Sequence, residues 1–493
     1  MNRAGRPPLR GSSPLALAPA FALMLGFSAF LVMRGHCGFV FAAAAFLSVL
    51  ASAGWYLLGT ESADKNSIPA ACALTAVLLS GILIIDSRIA EKPLPERIPE
   101  TVGIVLSERK WGFKRIALVK AIGSGSAGYF PDKYVLFGSG EEQLKPGDLV
   151  RFSGALSPFE RAEAAGDFDE FLYWRAKGGR ARLLSPNVRA EGKSKSIAYF
   201  RFRLSSLISD TLPPRTAGYI SASWIGVRDE SLTEFHRNAG TSHLLAVSGL
   251  HVGVVYCMAG FLLRRFKWRS WAISAIVWAY ALLSGASPSS LRAAAMLQFV
   301  MAGRLAGRSG NSFNCVCTAG SAMLLVNPWL FWDVGWRLSM LSVLTLTSIY
   351  SLTPDAWVKY LSACPAVWLV TSVQSAWTFG EVPLAGIVIN FFAVPAFSVL
   401  LPASSLLCLP SLAGFGFGRY PAMFSEFLFA AWERFSNNMT FLVPWKQPFS
   451  IPMFSAGTAA LVYLSAKACG FSGVRILAAE ILCLSLLCFL YII

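Results

Sequence analysis

Charged residues are scarce in this sequence, and their scarcity excludes a soluble fold. Only 14% of the 493 residues are charged whereas 55% are hydrophobic, and the mean hydropathy is +0.54. A soluble protein of this composition would expose much of its apolar surface to water. The apolar runs are continuous rather than alternating, which argues against a transmembrane β-barrel. The composition therefore predicts a helical membrane protein.

Histidine is rare throughout the chain, and cysteine is absent from the long polar stretch in its first half. The chain has four histidines, and no cysteine lies between Cys72 and Cys257. These absences argue against a disulfide framework in that stretch and against a His-rich metal site anywhere in the chain. The phosphate-loop pattern GxxxxGK[ST] is missing as well. We therefore predict no cofactor, no metal and no internal source of ATP-derived energy.

Apolar runs of roughly 17 to 25 residues, enough to cross a hydrocarbon core of about 30 Å, recur along the chain. Three come early, near residues 14–32, 39–58 and 68–85. Helical runs return later, near residues 242–263, 272–284, 291–306, 313–326, 334–350, 357–379, 384–409 and 424–443, with two more near the C-terminus. The fold class predicted is a polytopic α-helical membrane protein.

Between the two groups of spans lies a polar stretch of β character. Short strands are predicted at residues 101–106, 113–120, 133–137, 148–156 and 180–184, and Lys145-Pro146-Gly147-Asp148 is a turn sequence. About five short strands suggest a small β-barrel, with an OB-like fold as the first choice. The alternative is a β-sandwich that packs against the membrane part.

The basic residues set the predicted topology. Arg3, Arg6 and Arg10 precede the first run, which we interpret as a signal anchor with a cytoplasmic N-terminus. The basic loop at residues 264–269 is then also cytoplasmic, and the β domain is extracytoplasmic. This retention of Lys and Arg accounts for part of the net charge of +16, so charge alone does not identify a nucleic-acid partner.

Four regions follow from this organisation. Residues 1–86 form N-terminal transmembrane helices and residues 87–195 an extracytoplasmic OB-like domain. Residues 196–240 form amphipathic helices at the membrane interface, because Arg201, Arg203 and Arg215 are interspersed with apolar residues. Residues 241–493 form a second transmembrane domain, with several helices interrupted by Gly and Pro. Such interruptions are tolerated in lipid where protein or a wet cavity satisfies the backbone.

One long polar run within an apolar segment carries a family resemblance. It reads Gly240-Thr241-Ser242-His243-Leu244-Leu245-Ala246-Val247-Ser248-Gly249-Leu250-His251-Val252. Further matches follow in order, at residues 284–289 with Arg292 and Ala293, at 333–335 with Leu338 and Ser339, and at Gln374, Pro383, Asn390 and Pro395. Together these residues resemble the signature of the ComEC competence proteins, and residues 166–169 resemble the end of that family's OB-like domain.

The resemblance implies an inner-membrane, multi-pass channel that takes up single-stranded DNA during natural transformation. It implies a competence DNA receptor on the outer side as a partner. Cytoplasmic partners would be a DNA-translocating ATPase and single-strand-binding proteins, and membrane lipid would surround the chain. Many members carry a C-terminal metallo-β-lactamase-like nuclease domain, but only an apolar helix follows Arg475 here. We therefore expect no enzyme activity by that route.

The candidate DNA path is made of polar residues within apolar helices, because such residues usually face a bundle interior or water. Arg292 and Arg337 could grip phosphate oxygens, although the family often has Gln at the position of Arg337. The alternatives are a helix–helix hydrogen-bond cluster and arginines that snorkel to headgroups. The candidates are His243, Ser248, His251, Ser289, Arg292, Arg337, Gln374 and Asn390.

A second candidate site is the basic and aromatic surface of the β domain, which suits stacking and backbone contacts with a single strand. Its candidate residues are Lys110, Trp111, Lys114, Arg115, Arg151, Arg175 and Arg180. The alternative is an ordinary solvated sheet. Trp329, Trp332, Trp336 and Trp377 could likewise stack on bases or form the interfacial aromatic belt.

Two other function classes fit some of these residues. An intramembrane hydrolase would use Ser248 as nucleophile and His243 or His251 as base, but no orienting acid is evident. A secondary transporter for a small anionic solute would also use broken helices, but it leaves the basic β domain unexplained. We also expect Asp333 and Glu381 to pair with basic neighbours, with Asp333 and Arg337 spaced i, i+4.

Overall fold

The computed structural model describes nearly all of the chain between residues 67 and 448. The described ranges are 67–90, 93–111, 114–122, 132–137, 144–163, 167–307, 312–352, 354–443 and 445–448, with scattered positions within 20–31 and 457–467. The predicted span at residues 39–58 lies outside the described residues. The predicted spans at residues 14–32 and near the C-terminus also lie outside the described residues, except for the scattered positions.

Five strands follow the first described helix, α1 (Ser67–Ile89). They are β1 (Arg97–Trp111), β2 (Lys114–Ile122), β3 (Lys133–Phe137), β4 (Asp148–Ser157) and β5 (Gly179–Lys193). Each corresponds to one predicted strand. They close into a barrel in the order β1-β2-β3-β5-β4, with β3 and β5 parallel and the other neighbours antiparallel. Register shifts in β1 and β5 let these long strands bend around the barrel.

The barrel has its own apolar core, and a short helix packs on its outside. Val105, Val119, Leu136, Val150 and Phe152 are fully buried inside it. The short helix α2 (Glu170–Ala176) lies between β4 and β5 in sequence, and Asp169 caps it by accepting the N–H of Leu172 at 2.7 Å. Its Phe171 and Trp174 pack on β2 and β3 through Ile116 and Val135. α2 thus covers one side of the barrel.

The predicted turn at Gly147 fixes the barrel to the next helix. Gly147 has φ +94°, and a Cβ there would lie 2.5 Å from the Cβ of Tyr199. Only glycine adopts this conformation without strain and also leaves room for the tyrosine. The backbone of Ser194 donates to the carbonyl of Gly147 at 2.8 Å, so the strand end and the turn are held together.

The rest of the described chain is almost entirely helical. Its elements are α3 (Ile197–Thr211), α4 (Pro214–Ile220), a π-helical turn (Ser221–Ile225), α5 (Glu230–Asn238), α6 (Ser242–Leu245), α7 (Gly249–Leu262), α8 (Arg269–Leu283), α9 (Pro288–Leu305), α10 (Ser312–Val326), a 3-10 turn (Pro328–Trp332), α11 (Val334–Leu352), α12 (Ala356–Phe379), β6 (Glu381–Pro383), α13 (Ala385–Leu412), a 3-10 turn (Gly416–Gly418), α14 (Arg419–Leu442) and β7 (Lys446–Pro448).

The apolar runs predicted from residue 242 to residue 443 all contain helix, but the first is interrupted. By length and composition, two described stretches could cross a membrane, Ser242–Leu262 and Ala385–Leu412, and two shorter apolar helices accompany them. Buried clusters of the described residues join α1 with α10 and α11, α4 with α13 and α14, and α7 with α8 and α9. This packing surrounds the site described next.

Candidate functional site

A large cavity opens between the barrel and the helices. Its volume is about 3860 Å³, and its lining includes barrel residues such as Arg109, residues 242–243 and 246–250 of the motif, and both ends of α11. Along α11 it extends from Val334 to Tyr350, which is about 24 Å at 1.5 Å per residue. That length approaches the thickness of a hydrocarbon core, about 30 Å.

The polar motif borders this cavity at a break in the helix. The sequence predicts one helical run over residues 242–263, with Gly249 as a point where it can break. The structure breaks it just before that residue, because α6 ends at Leu245 and α7 begins at Gly249. Ala246 and Ser248 are extended. The carbonyl of Val247 between them accepts from Ser289 Oγ at 2.6 Å and from Ser287 Oγ at 3.4 Å. Two motifs that are distant in sequence therefore meet at the break, and Ser289 takes part in the contact.

Ser248 and His251 together build the start of α7. Ser248 Oγ accepts the N–H of Leu250 at 3.3 Å, and His251 Nδ1 accepts the backbone N–H of Ser248 at 3.1 Å. This reciprocal arrangement is a capping box, which satisfies N–H groups that a helix start leaves without partners. The pair thus has a structural task that explains both residue types.

The three motif candidates differ in their access to the cavity. His243 is exposed and lines it, and Ser248 is half-buried at its wall. His251 is buried and is not among the lining residues; its ring packs against Trp224 with centroids 5.6 Å apart. The assignment of His251 to the path is therefore corrected, because the capping box turns its ring into the protein.

Arg292 and Arg337 both line the cavity near the motif. Arg292 is 5% exposed, and its Nη1 donates to the carbonyl of Ser339 at 2.8 Å. Arg337 Nη2 donates to the carbonyl of Trp332 at 3.2 Å. Within the described ranges neither guanidinium has an acidic partner within 4.0 Å, and neither Nε has a hydrogen-bond partner. Both therefore keep donor capacity beside the cavity.

The expected pairing of Asp333 with Arg337 is wrong, and that of Glu381 is confirmed. Asp333 Oδ1 instead accepts the N–H of Trp336 at 2.9 Å, which caps the start of α11. Glu381 forms an ion pair with Lys446 across the small β6–β7 sheet. A carboxylate at a helix start is stabilised by the free N–H groups there, which explains why Asp333 bonds to the backbone rather than to the arginine.

Of the two remaining path candidates, one lines the cavity and the other does not. Asn390 lines the cavity, and its Nδ2 donates to the carbonyl of Gly240 at 3.4 Å, at the beginning of the motif. Gln374 is not among the lining residues, and its Nε2 donates to Thr378 Oγ1 at 3.0 Å on the same helix. The placement of Gln374 in the path is therefore corrected.

Most described basic candidates of the barrel are paired with acids. Arg115 lies 3.8 Å from Glu108, Arg151 pairs with Glu191, and Arg180 pairs with Asp132. Such pairing lowers the positive potential that an open basic face would have. The side chains of Lys110, Trp111 and Lys114 lie outside the described residues. The predicted basic surface is therefore less open than the sequence suggests.

The cavity wall of the barrel holds Arg109, which the sequence does not set apart, and Lys177, which belongs to the basic residues of the β domain. Arg109 Nη1 donates to Tyr173 OH at 3.4 Å, and Lys177 Nζ also contacts this hydroxyl. Burial lowers the pKa of Lys177 to about 7; the charge of Arg109 acts in the same direction and that of Asp333 opposes it. Of the described residues that line the cavity, thirteen are Lys or Arg and nine are Asp or Glu, so the wall is positive overall.

The tryptophans after α10 attach the barrel to the helices. Trp329 meets the ring of Phe171 edge-on, with centroids 5.4 Å apart, and Arg175 lies over both rings at 5.3 and 5.6 Å. Asn327 Nδ2 donates to the carbonyl of Ala176 at 2.9 Å beside this contact. Trp329 and the candidate Arg175 therefore form a joint between α2 and the 3-10 turn, which holds the barrel over the cavity.

A buried polar chain behind the motif is a second feature that the sequence does not reveal. His236 is fully buried, with Nε2 3.0 Å from Tyr219 OH and Nδ1 2.8 Å from Thr241 Oγ1. Burial lowers the pKa of His236 to about 3, with a further lowering by His243. Thr241 directly precedes α6, so this neutral histidine positions the motif segment.

Comparison with known proteins agrees with the resemblance. Residues 226–491, more than half of the chain, match the model of a family described as "Competence protein". The chain is 28% identical over 319 residues to ComE operon protein 3 of Bacillus subtilis (strain 168), over 58% of this chain and 40% of that protein. The matched part thus spans well under two thirds of that relative. No solved structure matches the chain.

Proposed function

Because this chain belongs to the Competence protein family, we propose that it is an inner-membrane channel that carries single-stranded DNA into the cytoplasm during natural transformation. The observation that carries the proposal is the continuity of the cavity. One space is lined by the barrel, by the motif at Ser248 and by α11 as far as Tyr350. A water-filled space of this length gives a polyanion a route that avoids lipid.

The charges of the cavity support DNA as the cargo. Arg292 and Arg337 keep free donor capacity beside the motif, and a guanidinium binds phosphate oxygens through a planar fork of N–H groups. His243, Ser248, Ser289 and Asn390 would complete the polar wall. We propose these residues as the path, without His251 and Gln374.

The barrel would receive the strand before it enters. Five strands in this closed order, with β3 parallel to β5, support an OB-like domain, a class that binds single strands. We propose that Arg109 and Lys177, which face the cavity, contact the DNA. Arg115 and Arg151 are less suited because each already pairs with a carboxylate.

The surroundings of the channel follow from the same proposal. The chain would lie in the inner membrane as a multi-pass protein with the barrel outside, in the four regions 1–86, 87–195, 196–240 and 241–493. A DNA receptor would deliver the strand from outside. An ATPase and single-strand-binding proteins would draw it inward, since the sequence has no phosphate loop of its own.

A catalytic role for Ser248 is the main alternative, since Ser248 Oγ lies 3.1 Å from His251 Nδ1. We propose that this contact serves the helix start. His251 Nδ1 accepts a backbone N–H, and Nε2 has no partner among the described residues that would orient the ring as an acid does in a hydrolase. The described residues also contain no group of three or more metal-ligating side chains.

The test is deletion of the gene in its own host, with the wild-type strain as reference under competence conditions. Transformation is scored together with labelled DNA that has become protected outside the inner membrane. We expect transformants to disappear while the protected outer pool persists, and a wild-type copy to restore them. Unchanged transformation in the deletion strain would overturn the proposal.

An arginine comparison refines the test. Arg292→Met and Arg337→Met remove a guanidinium from the wall, and Arg419→Met serves as the control because Arg419 does not line the main cavity. We expect transformation to fall in the first two variants at unchanged protein level. Equal transformation in all three would contradict phosphate binding at the motif.

A further inference from the structure

The far part of the cavity, away from the barrel, lies between α11 and α12 and differs chemically from the outer part. Beyond Arg337, the described lining residues on these two helices include no Lys, Arg, Asp or Glu. They are mainly hydroxyl-bearing, small or aromatic. The Ser and Thr residues among them are Ser339, Ser342, Thr371, Ser372, Ser375 and Thr378. Positive charge is therefore confined to the outer part.

This division limits how the far part can hold a nucleic acid. Phosphates passing along α11 and α12 meet hydroxyl groups but no cation among the described side chains that line the cavity. A buried cation at membrane depth is costly, which explains why the lining is neutral there. Contacts independent of charge remain, and stacking of bases on aromatic rings is the strongest of them and tolerates any sequence.

Five described aromatic residues line the cavity on these two helices. Trp377 and Phe379 lie at the outer end of α12, and the other three lie farther from the barrel. Trp368 lies in the middle of α12, and its buried indole N–H has no hydrogen-bond partner among the described residues. Tyr350 and Tyr360 lie at the far end and are 58% and 40% exposed. Tyr360 OH donates to the carbonyl of Phe391 at 2.5 Å, which fixes its ring, and Lys359 Nζ lies 5.4 Å from the centroid of Tyr350.

We propose that Tyr350, Tyr360 and Trp368 form a nucleobase-stacking site in the far part of the cavity. The site binds bases of the passing strand without regard to sequence. The inference rests on the proposed function, because it takes single-stranded DNA as the ligand. Backward sliding of the strand is slowed there by stacking rather than by charge.

An interfacial aromatic belt is the competing explanation for the two tyrosines. Trp357 provides the matched control, because it lies on α12 less than one turn before Tyr360, is 76% exposed and does not line the cavity. A belt residue contacts lipid wherever it lies on the helix, whereas a stacking residue must face the cavity. Substitution or crosslinking should therefore distinguish Trp357 from Tyr360 only if the proposal holds.

The direct test is photocrosslinking during uptake. Competent cells take up DNA substituted with 5-iodouracil, which crosslinks to aromatic side chains that stack on it, and crosslinked peptides of the full-length protein are mapped. We expect adducts at Tyr350, Tyr360 or Trp368 and none at Trp357. Adducts confined to the outer cavity would overturn the stacking site and leave the channel intact. Adducts nowhere in the protein, with transformation independent of the gene, would instead overturn the proposed function.

The second test compares loss of the rings with their retention. The triple variant with Tyr350→Leu, Tyr360→Leu and Trp368→Leu should lower transformation about tenfold or more, since each lost stack weakens binding by about that factor. The same positions changed to Phe should stay within about threefold of the wild type, and Trp357→Leu should match it. All variants are compared at equal membrane level. Wild-type transformation by the triple Leu variant would refute the site.

Discussion

His251 Nδ1 lies 3.1 Å from the backbone nitrogen of Ser248 and accepts its N–H, while Ser248 Oγ accepts the N–H of Leu250. The two residues thereby hold the first turn of α7 at the wall of the cavity. The same pair would be the nucleophile and the base of a hydrolase. Substitutions that keep the helix start but cannot take part in catalysis therefore distinguish the two roles.

Ser248→Asn should keep the start of α7, whereas Ser248→Ala should lose it. Asn accepts a backbone N–H at a helix start as well as Ser does, and Ala costs about 1 kcal/mol there. We expect the thermal midpoint of the detergent-purified protein to fall only for Ala, with transformation following stability. Asn cannot act as a nucleophile, so complete loss of function in Ser248→Asn at wild-type stability would favour the hydrolase.

His251 offers the reciprocal control. Gln at this position of a capping box also accepts the N–H of the first residue, so His251→Gln should remain closer to the wild type than His251→Ala. Equal losses in the two variants would mean that the imidazole itself is needed, through its contact with Trp224.

Trp329→Ala should loosen the barrel from the helices. The substitution removes the edge-on contact with Phe171 and one ring beneath Arg175, interactions worth about 1 to 2 kcal/mol together. Hydrogen exchange measured by mass spectrometry should quicken about tenfold in α2 and remain unchanged in α13. Trp329→Phe retains a ring and should exchange at an intermediate rate. Unaltered exchange in Trp329→Ala would show that the joint does not hold the barrel.

The sequence predicts the elements of this fold better than their junctions. Alternating strands around Gly147 and apolar runs of spanning length are local signals, and the five strands and the helices from residue 242 to residue 443 follow them. The break in the motif is different, because Gly249 marks only a possible break and does not show that the helix already ends at Leu245. Leu244 to Val247 are compatible with helix, and the break is supported by Ser287 and Ser289, whose hydroxyls bind the freed carbonyl from another part of the chain.

The site shows the same limit. His243, Ser289 and Asn390 line the cavity, whereas His251 and Gln374 do not, because the rotation of each helix is set by packing that sequence spacing does not reveal. Likewise Arg180 reads as a free cation, yet Asp132, distant in sequence, neutralises it. Trp368 could not be predicted from the sequence, because it belongs to no motif and tryptophan is common in apolar helices.

The stability of the protein should depend on pH through His236. Its pKa is lowered to about 3 by burial, from 6.5 in an unfolded chain, so between these values the unfolded state binds a proton that the folded state excludes. This contribution is complete above about pH 6.5 and declines as pH falls toward 3, by up to about 1.4 kcal/mol per pH unit.

Thermal midpoints at pH 7.5 and 5 measure this dependence, and the wild type should lose more between them than His236→Gln. Gln can still bond to Tyr219 or Thr241 but does not titrate. Identical losses in both proteins would show that the protonation of His236 does not contribute.

Two glycines have nearly the same backbone conformation but different surroundings. Comparing Ala at the two positions therefore separates the cost of backbone strain from the cost of close packing. Gly240 has φ +70° and Gly307 has φ +69°, so Ala at either position carries a left-handed penalty of about 1 kcal/mol. At Gly240 a Cβ would also lie 2.9 Å from the Cα of Gly386, whereas the same atom at Gly307 meets nothing within 4 Å among the described residues. Gly240→Ala must therefore push the start of α13 away from the motif.

We expect Gly240→Ala to lose about 2 kcal/mol more than Gly307→Ala, which is typical of overpacking against backbone that cannot move freely. The displacement would also stretch the bond from Asn390 to the carbonyl of Gly240 and disturb the cavity wall. Transformation should then fall in Gly240→Ala and persist in Gly307→Ala, with thermal midpoints in the same order. Equal midpoints for the two variants would mean that the motif and α13 do not approach this closely in the membrane.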